Sequence, residues 1–172
     1  VIKSLRANGI TTLISIDTYK AVVAQAALEA GADWINDVWG FHADPQLPSL
    51  VARQGVPVVL MHNRSKPSLV EQQQRLGGSY LGAHYEDLLK DVINELMQSV
   101  SIARSAGVKD ENIILDPGIG FGKTVEQNME LINRLKEIKA LGFPVLLGPS
   151  RKSFIGYTLD LPPSERLEGT LA

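Results

Sequence analysis

Five apolar runs in this sequence stop at residues that can bind or ionise. Thr12-Leu13-Ile14-Ser15-Ile16 stops at Asp17, and Trp34-Ile35 runs into Asn36-Asp37. Val56 to Met61 stops at His62-Asn63, Ile113-Ile114-Leu115 stops at Asp116, and Phe143 to Gly148 leads to Ser150-Arg151-Lys152. Carboxylates accept hydrogen bonds from ring N–H and amino groups, and an amide both donates and accepts. Asp17, Asn36 and Asp116 together therefore suit a flat nitrogen heterocycle. Each also has a plainer reading: Asp17 as a helix cap, Asn36 as an amide satisfied by neighbouring backbone, and Asp116 as the cap of a tight turn.

Asp116 opens the richest segment, Asp116-Pro117-Gly118-Ile119-Gly120-Phe121-Gly122-Lys123-Thr124. It is no P-loop, because Pro117 stands where the first glycine belongs. It is no dinucleotide fingerprint either, because Lys123 stands where the third belongs. What remains is a carboxylate followed by a loop whose glycines let backbone approach a ligand closely. Ser150-Arg151-Lys152-Ser153 offers two cations, and a helix starting near Ser153 would add free N–H groups, so this segment suits an anion. A solvated basic pair is its ordinary alternative. His42, His62 and His84 have no ligand spacing, and there is no cysteine, so no zinc site is expected. His62 reads as a satisfied loop histidine.

Continuous branched-apolar runs are the mark of parallel strands buried on both faces. Helical spacing fills the intervals. Asp17 or Thr18 could cap a helix carrying Val22 to Ala30, and a short helix covers Leu47 to Gln54. A longer one carries Tyr85 to Ala103, and a Thr124/Gln127 capping box starts another that bears Leu131, Leu135 and Ile138 and closes at Gly142. Alternation of strand and helix predicts an α/β fold with the polar tips gathered on one rim of the sheet. Residues 63–83 read as a long polar loop, either an active-site flap or a surface insertion. Both an open doubly wound sheet and part of a (β/α)8 TIM barrel fit the pattern. The helical beginning and unterminated end favour the barrel, read as one partial domain over 1–172, cut at both ends. The 44% hydrophobic content, 21% charged content and net charge of -2 predict no nucleic-acid or membrane partner. The absence of cysteine fits a cytoplasmic protein.

Ser15-Ile16-Asp17-Thr18, Ile35-Asn36-Asp37, the Asp116 to Lys123 segment and Gly148-Pro149-Ser150-Arg151-Lys152-Ser153 resemble dihydropteroate synthase, in that order and along essentially the whole chain. The resemblance implies a (β/α)8 barrel, with this chain covering approximately strands three to seven. It implies a transferase of folate biosynthesis that joins 6-hydroxymethyl-7,8-dihydropterin diphosphate to 4-aminobenzoate. Carried over, Asp17, Asn36, Met61, Asp116 and Lys152 are the pterin-binding set, with Asp116 and Lys152 catalytic. Phe121, Lys152 and Ser153 border the 4-aminobenzoate. The resemblance also implies Mg2+ and a homodimer at full length. The family's Asn-Val-Thr-Pro-Asp-Ser loop and last-strand Arg-x-His, which hold the diphosphate and magnesium, are not in this chain. Rival readings are a methyltetrahydrofolate-binding methyltransferase domain and a non-catalytic pterin-binding barrel.

Overall fold

A computed structural model describes residues 1–66, 68, 70–80 and 83–172. Four parallel strands form the main sheet: β1 (Ser15–Asp17), β2 (Trp34–Asp37), β3 (Val58–Met61) and β6 (Ile113–Asp116), in that spatial order. The spatial order follows the chain order without reversal. A doubly wound sheet must reverse; a barrel need not.

Register divides the strands into two faces. Asp17 pairs with Asn36, Asn36 with Val59, Val59 with Ile114, and Met61 with Asp116. Ile16, Ile35, Val58, Leu60, Ile113 and Leu115 point the other way, since side chains alternate along a strand. That second set packs into the apolar core with the helices: Ala24 of α2 (Ala21–Glu29), Leu50 and Val51 of α3 (Leu47–Gln54), and Val92, Leu96 and Val100 of α4 (Leu88–Ser105). Leu131 of α5 (Val125–Asn133) and Ile138 of α6 (Leu135–Lys139) join the same core. The helices thus cover one face. The other carries Asp17 and Asn36, which are exposed and half-buried, beside the buried Met61 and Asp116. This is the layering of a barrel wall.

Several expectations hold in detail. Helix α3 has the predicted bounds and stops at Gly55, whose φ of 64° suits glycine. The Thr124/Gln127 capping box is formed in both directions. A short helix α1 (Ile2–Ala7) precedes β1, and α7 (Ser153–Leu159) and α8 (Leu167–Leu171) follow the last apolar run.

Five expectations need correction. Helix α4 begins at Leu88 with Asp87 as its cap, so Tyr85 precedes it and does not belong to it. Neither Asp17 nor Thr18 caps α2; Asp44, from the loop after β2, accepts from the Ala21 N–H at 2.8 Å. The helix expected from Thr124 to Gly142 breaks at Arg134 into α5 and α6. The fifth run contributes a single bridge, Val145 beside Leu115, with Leu115 N–H donating to the Pro144 carbonyl and Leu146 N–H to the Leu115 carbonyl, both at 2.9 Å. Proline cannot donate in return, so the pairing stays short.

The loop expected over 63–83 contains an antiparallel hairpin, β4 (Val70–Gln73) and β5 (Gly77–Tyr80); residues 67, 69, 81 and 82 of that segment lie outside the described residues. The hairpin docks on α7, where Tyr157 Oη donates to the Gly77 carbonyl at 3.1 Å, and on the start of α8, where buried Arg166 donates to the Leu76 carbonyl at 3.0 Å. Among the described residues no helix is long and apolar enough to cross a membrane.

Candidate active site

The polar ends of β1, β2, β3 and β6 meet on the face that the helices leave free. Asn36 Nδ2 donates to Asp17 Oδ1 at 2.8 Å, across the β1–β2 register. The amide's other atom, Oδ1, is buried and has no hydrogen-bond partner among the described residues. A buried acceptor without a partner carries a free-energy cost that a ligand donor removes. The amide is thus fixed by Asp17, with its acceptor buried and unpaired among the described residues.

Two strands away, Asp116 is 6% exposed and lies beside Met61 in register. Burial pushes its carboxyl above the usual range. The Gly118 N–H, donated to Oδ1 at 2.7 Å, and the cations Lys152 and Lys123 pull it back down. The loop after Asp116 is turned by glycines at positive φ. At Gly118 (φ 70°) an added Cβ would lie 1.9 Å from the His62 carbonyl oxygen, so no other residue fits there.

Lys152 reaches the loop from the other side. Its Nζ donates to the Ile119 carbonyl and sits 4.5 Å from the centre of the Phe121 ring, a cation–π distance. Burial lowers the Lys152 pKa, and Asp116 opposes that shift. Asp116, Phe121 and Lys152 are therefore one group. Ser153, the first residue of α7, lines a small cavity with Gly120 and with Tyr80 of the hairpin. Arg151 is exposed, with φ 51°.

Sequence reasoning missed the group beneath the loop. Lys123 is 2% exposed, and its Nζ lies 3.0 Å from each of His62 Nδ1, the Gly118 carbonyl and the Phe121 carbonyl. Burial pushes its pKa down to about 7, and the Asp116 charge opposes that shift. Burial likewise takes His62 down to about 4, so its ring is neutral. A lysine donating to Nδ1 leaves the ring proton on Nε2, which lies 3.0 Å from Glu95 Oε2 as an ion-pair contact without hydrogen-bond geometry. His62 and Arg64 hold Glu95 down at about 2. Arg64 also pairs with Asp91 at 3.2 Å and stacks 4.3 Å from the Tyr85 ring centre. The only sequence signal for this group was Lys123's place after three glycines.

The chain matches the family described as pterin binding enzyme over residues 1–172. It belongs to that family. Dihydropteroate synthase of Clostridium beijerinckii is 53% identical over 159 residues, covering 92% of this chain and 53% of the relative. A structure of dihydropteroate synthase from Clostridium difficile in the presence of pteroic acid aligns with a TM-score of 0.86 at 44% identity. It covers 99% of this chain and 59% of the other. Dihydropteroate synthase of Xanthomonas albilineans with 4-aminobenzoic acid aligns at TM-score 0.84 and 37% identity, covering 98% and 58%. The chain spans about half the length of the curated relatives it matches. The pterin-binding architecture accounts for the parallel sheet with helices on one face and polar strand ends on the other.

Proposed function

We propose that this protein carries the pterin-holding part of a dihydropteroate synthase, a transferase of folate synthesis. The full-length gene product would join 6-hydroxymethyl-7,8-dihydropterin diphosphate to 4-aminobenzoate. The observation that carries the reading is the fixed Asn36 amide with a buried, unpartnered acceptor, on the same face as Asp17 and Asp116. In this reading Asp17, Asn36 and Asp116 take the ring N–H and amino groups, with Met61 and Lys152 beside the ring. Phe121, Lys152 and Ser153 border the aminobenzoate. The relatives solved with pteroic acid and with 4-aminobenzoic acid support both subsites.

The reaction breaks the C–O bond between the pterin methylene and diphosphate, with oxygen keeping the electron pair. The aniline nitrogen's lone pair forms the new C–N bond, and that nitrogen loses a proton to solvent. Positive charge grows on the methylene and spreads into the ring as diphosphate leaves. A buried carboxylate at Asp116 stabilises that charge more strongly than water would. The aniline attacks through its free lone pair, so no strong base is required of this chain.

Among the described residues no three His, Asp or Glu side chains converge as metal ligands. Magnesium commonly takes only one or two protein carboxylates together with water and substrate phosphate oxygens, and we assign it to the diphosphate. A homodimer in the cytoplasm completes the proposal. The test is to supply both substrates to the full-length gene product and measure diphosphate release together with dihydropteroate formation. Equal amounts of the two are expected. Diphosphate release without the C–N product, or no turnover by folded protein, would overturn the reading.

A further inference from the structure

Lys123 stands apart from the substrate-facing residues, and the chemistry above leaves it without a task. It is among the most buried large side chains of the molecule, yet none of the described carboxylates lies within ion-pair distance of it. A methionine of similar length would fill the same space without desolvating a cation. What the ammonium does instead is bind three acceptors at once, each at 3.0 Å: the carbonyls of Gly118 and Phe121 and the ring nitrogen of His62.

Those acceptors span the working part of the glycine loop. The Gly118 carbonyl belongs to the residue whose N–H binds Asp116, and it also accepts from the Phe121 N–H at 3.1 Å. The Phe121 carbonyl belongs to the residue whose ring lies under Lys152. A second brace, Asn128 Oδ1, accepts from the Gly120 N–H at 2.7 Å. Below, His62 continues to Glu95 on α4, and Tyr85 Oη donates to the Gly122 carbonyl at 3.3 Å. Ile119 is the loop's side chain in the apolar core, and three of the other residues are glycines with no side chain to pack. The loop's shape is otherwise set by these polar braces.

We propose that Lys123 is a positioning residue: by tying the Gly118 and Phe121 carbonyls to His62, it fixes the Phe121 ring and Lys152 as the wall of the 4-aminobenzoate subsite. The proposal rests on the synthase reading for the identity of that subsite, but not for the existence of the brace. Losing the ammonium leaves the Phe121 carbonyl without its donor and frees the loop to shift. A misplacement of about 1 Å in a substrate-positioning wall can cost up to roughly 100-fold in rate.

Lys123→Met in the full-length gene product tests this by two readouts. In steady state, KM for 4-aminobenzoate should rise about tenfold or more, and by a larger factor than KM for the pterin diphosphate, whose set shares Asp116 and Lys152 with this loop. A purely structural role would lower the active fraction and leave both KM values alone. Separately, the protein is labelled with 4-fluorophenylalanine, and the Phe121 line is assigned by its loss in Phe121→Leu. Lys123→Met should shift or broaden that line and spare those of Phe143 and Phe154. If Lys123→Met does not fold, Lys123→Gln, which keeps N–H donors on a shorter, uncharged side chain, takes its place with the same two readouts. Unchanged KM for 4-aminobenzoate with an unchanged Phe121 line overturns the proposal. A wild-type protein without synthase turnover would instead overturn the functional reading, while the fluorine line would still decide whether Lys123 sets the loop.

Discussion

Asn36→Leu should separate binding from stability. Asn36 Nδ2 donates to Asp17 Oδ1 at 2.8 Å, and its Oδ1 is buried without a partner among the described residues. An unsatisfied buried acceptor costs about 1–3 kcal/mol. Leucine keeps the same branched shape, with bulkier methyl groups, and removes that acceptor together with its cost. Asp17 loses one bond, but it is exposed and water replaces the amide, so that loss is at most about 1 kcal/mol. The two effects oppose each other, and the melting temperature should stay within about 4 °C of wild type. Ligand binding has no such compensation. A pterin N–H that met the Asn36 acceptor would be buried against methyl groups, costing about 1–3 kcal/mol, or roughly a 5- to 150-fold rise in Kd. Thermal melts and calorimetric titration of the full-length gene product with a 7,8-dihydropterin measure both quantities. Asn36→Asp is the companion variant. It sets two carboxylates in hydrogen-bond contact, so one must take up a proton and pterin binding should become pH-dependent where wild type is flat. A fall in melting temperature of about 8 °C with unchanged Kd would refute the reasoning, because it would mean that the Asn36 acceptor serves the fold.

Asp116→Asn should weaken pterin binding by about 5- to 150-fold, since one acceptor becomes a donor while the other keeps the Gly118 N–H. It also removes the charge that opposes the lowering of Lys152, so the alkaline limb of the pH–rate profile should move to lower pH; an unmoved limb counts against the Asp116–Lys152 coupling. His62 titrates near 6.5 when unfolded and at about 4 when folded, so the unfolded chain binds the extra proton between those values. Its contribution is intact above pH 6.5 and lost as pH falls towards 4, about 3 kcal/mol in all, before the depressed Glu95 begins to act below 4.5. Urea midpoints from pH 7 to 4.5 should fall in wild type and flatten in His62→Asn; equal slopes would exclude His62 as the cause. Gly118→Ala puts a Cβ 1.9 Å from the His62 carbonyl oxygen at φ 70°, and should cost more than about 3 kcal/mol, read as a melting-temperature loss of about 6 °C or more.

Four of the five strands were legible because a buried parallel strand leaves a run of branched apolar residues, and each run has one polar end. The fifth was over-read: Phe143-Pro144-Val145-Leu146 has the composition of a strand, but Pro144 cannot donate and only Val145 bridges. The hairpin was missed because Val70-Glu71-Gln72-Gln73 and Gly77-Gly78-Ser79-Tyr80 alternate no apolar residues; α7 and Arg166, distant in sequence, hold it. Asp44 capping α2 was invisible for the same reason, since the partner lies 23 residues away. Lys123 was the harder miss. Lysine is so often exposed that burial is a poor wager from sequence. Here its acceptors are two carbonyls of its own loop and a histidine 61 residues earlier. The geometry that holds a lysine inside is made by the glycine turn, and a glycine count alone does not describe it.

Asn36 and Asp37 show how register turns two similar neighbours to different ends. Asn36 points to the face with Asp17 and keeps an acceptor free. Asp37, one residue on, points to the helix side, 1% exposed, where its carboxylate accepts from the Trp39 N–H at 2.9 Å and the Phe41 N–H at 2.7 Å. Those bonds hold the loop after β2, in which Phe41 has φ 71°, a conformation that needs such support. A slip of one residue would exchange the pair. The amide would enter the apolar core, the carboxylate would sit beside Asp17, and the loop would lose its anchor. The slip is opposed on both edges of β2, by Ser15, Ile16 and Asp17 on β1 and by Val58, Val59 and Leu60 on β3. The strand's four residues are too few to fix register by length. It is the apolar Ile35, wholly buried between two neighbours, that decides which of the adjacent polar residues meets a ligand and which one folds the chain.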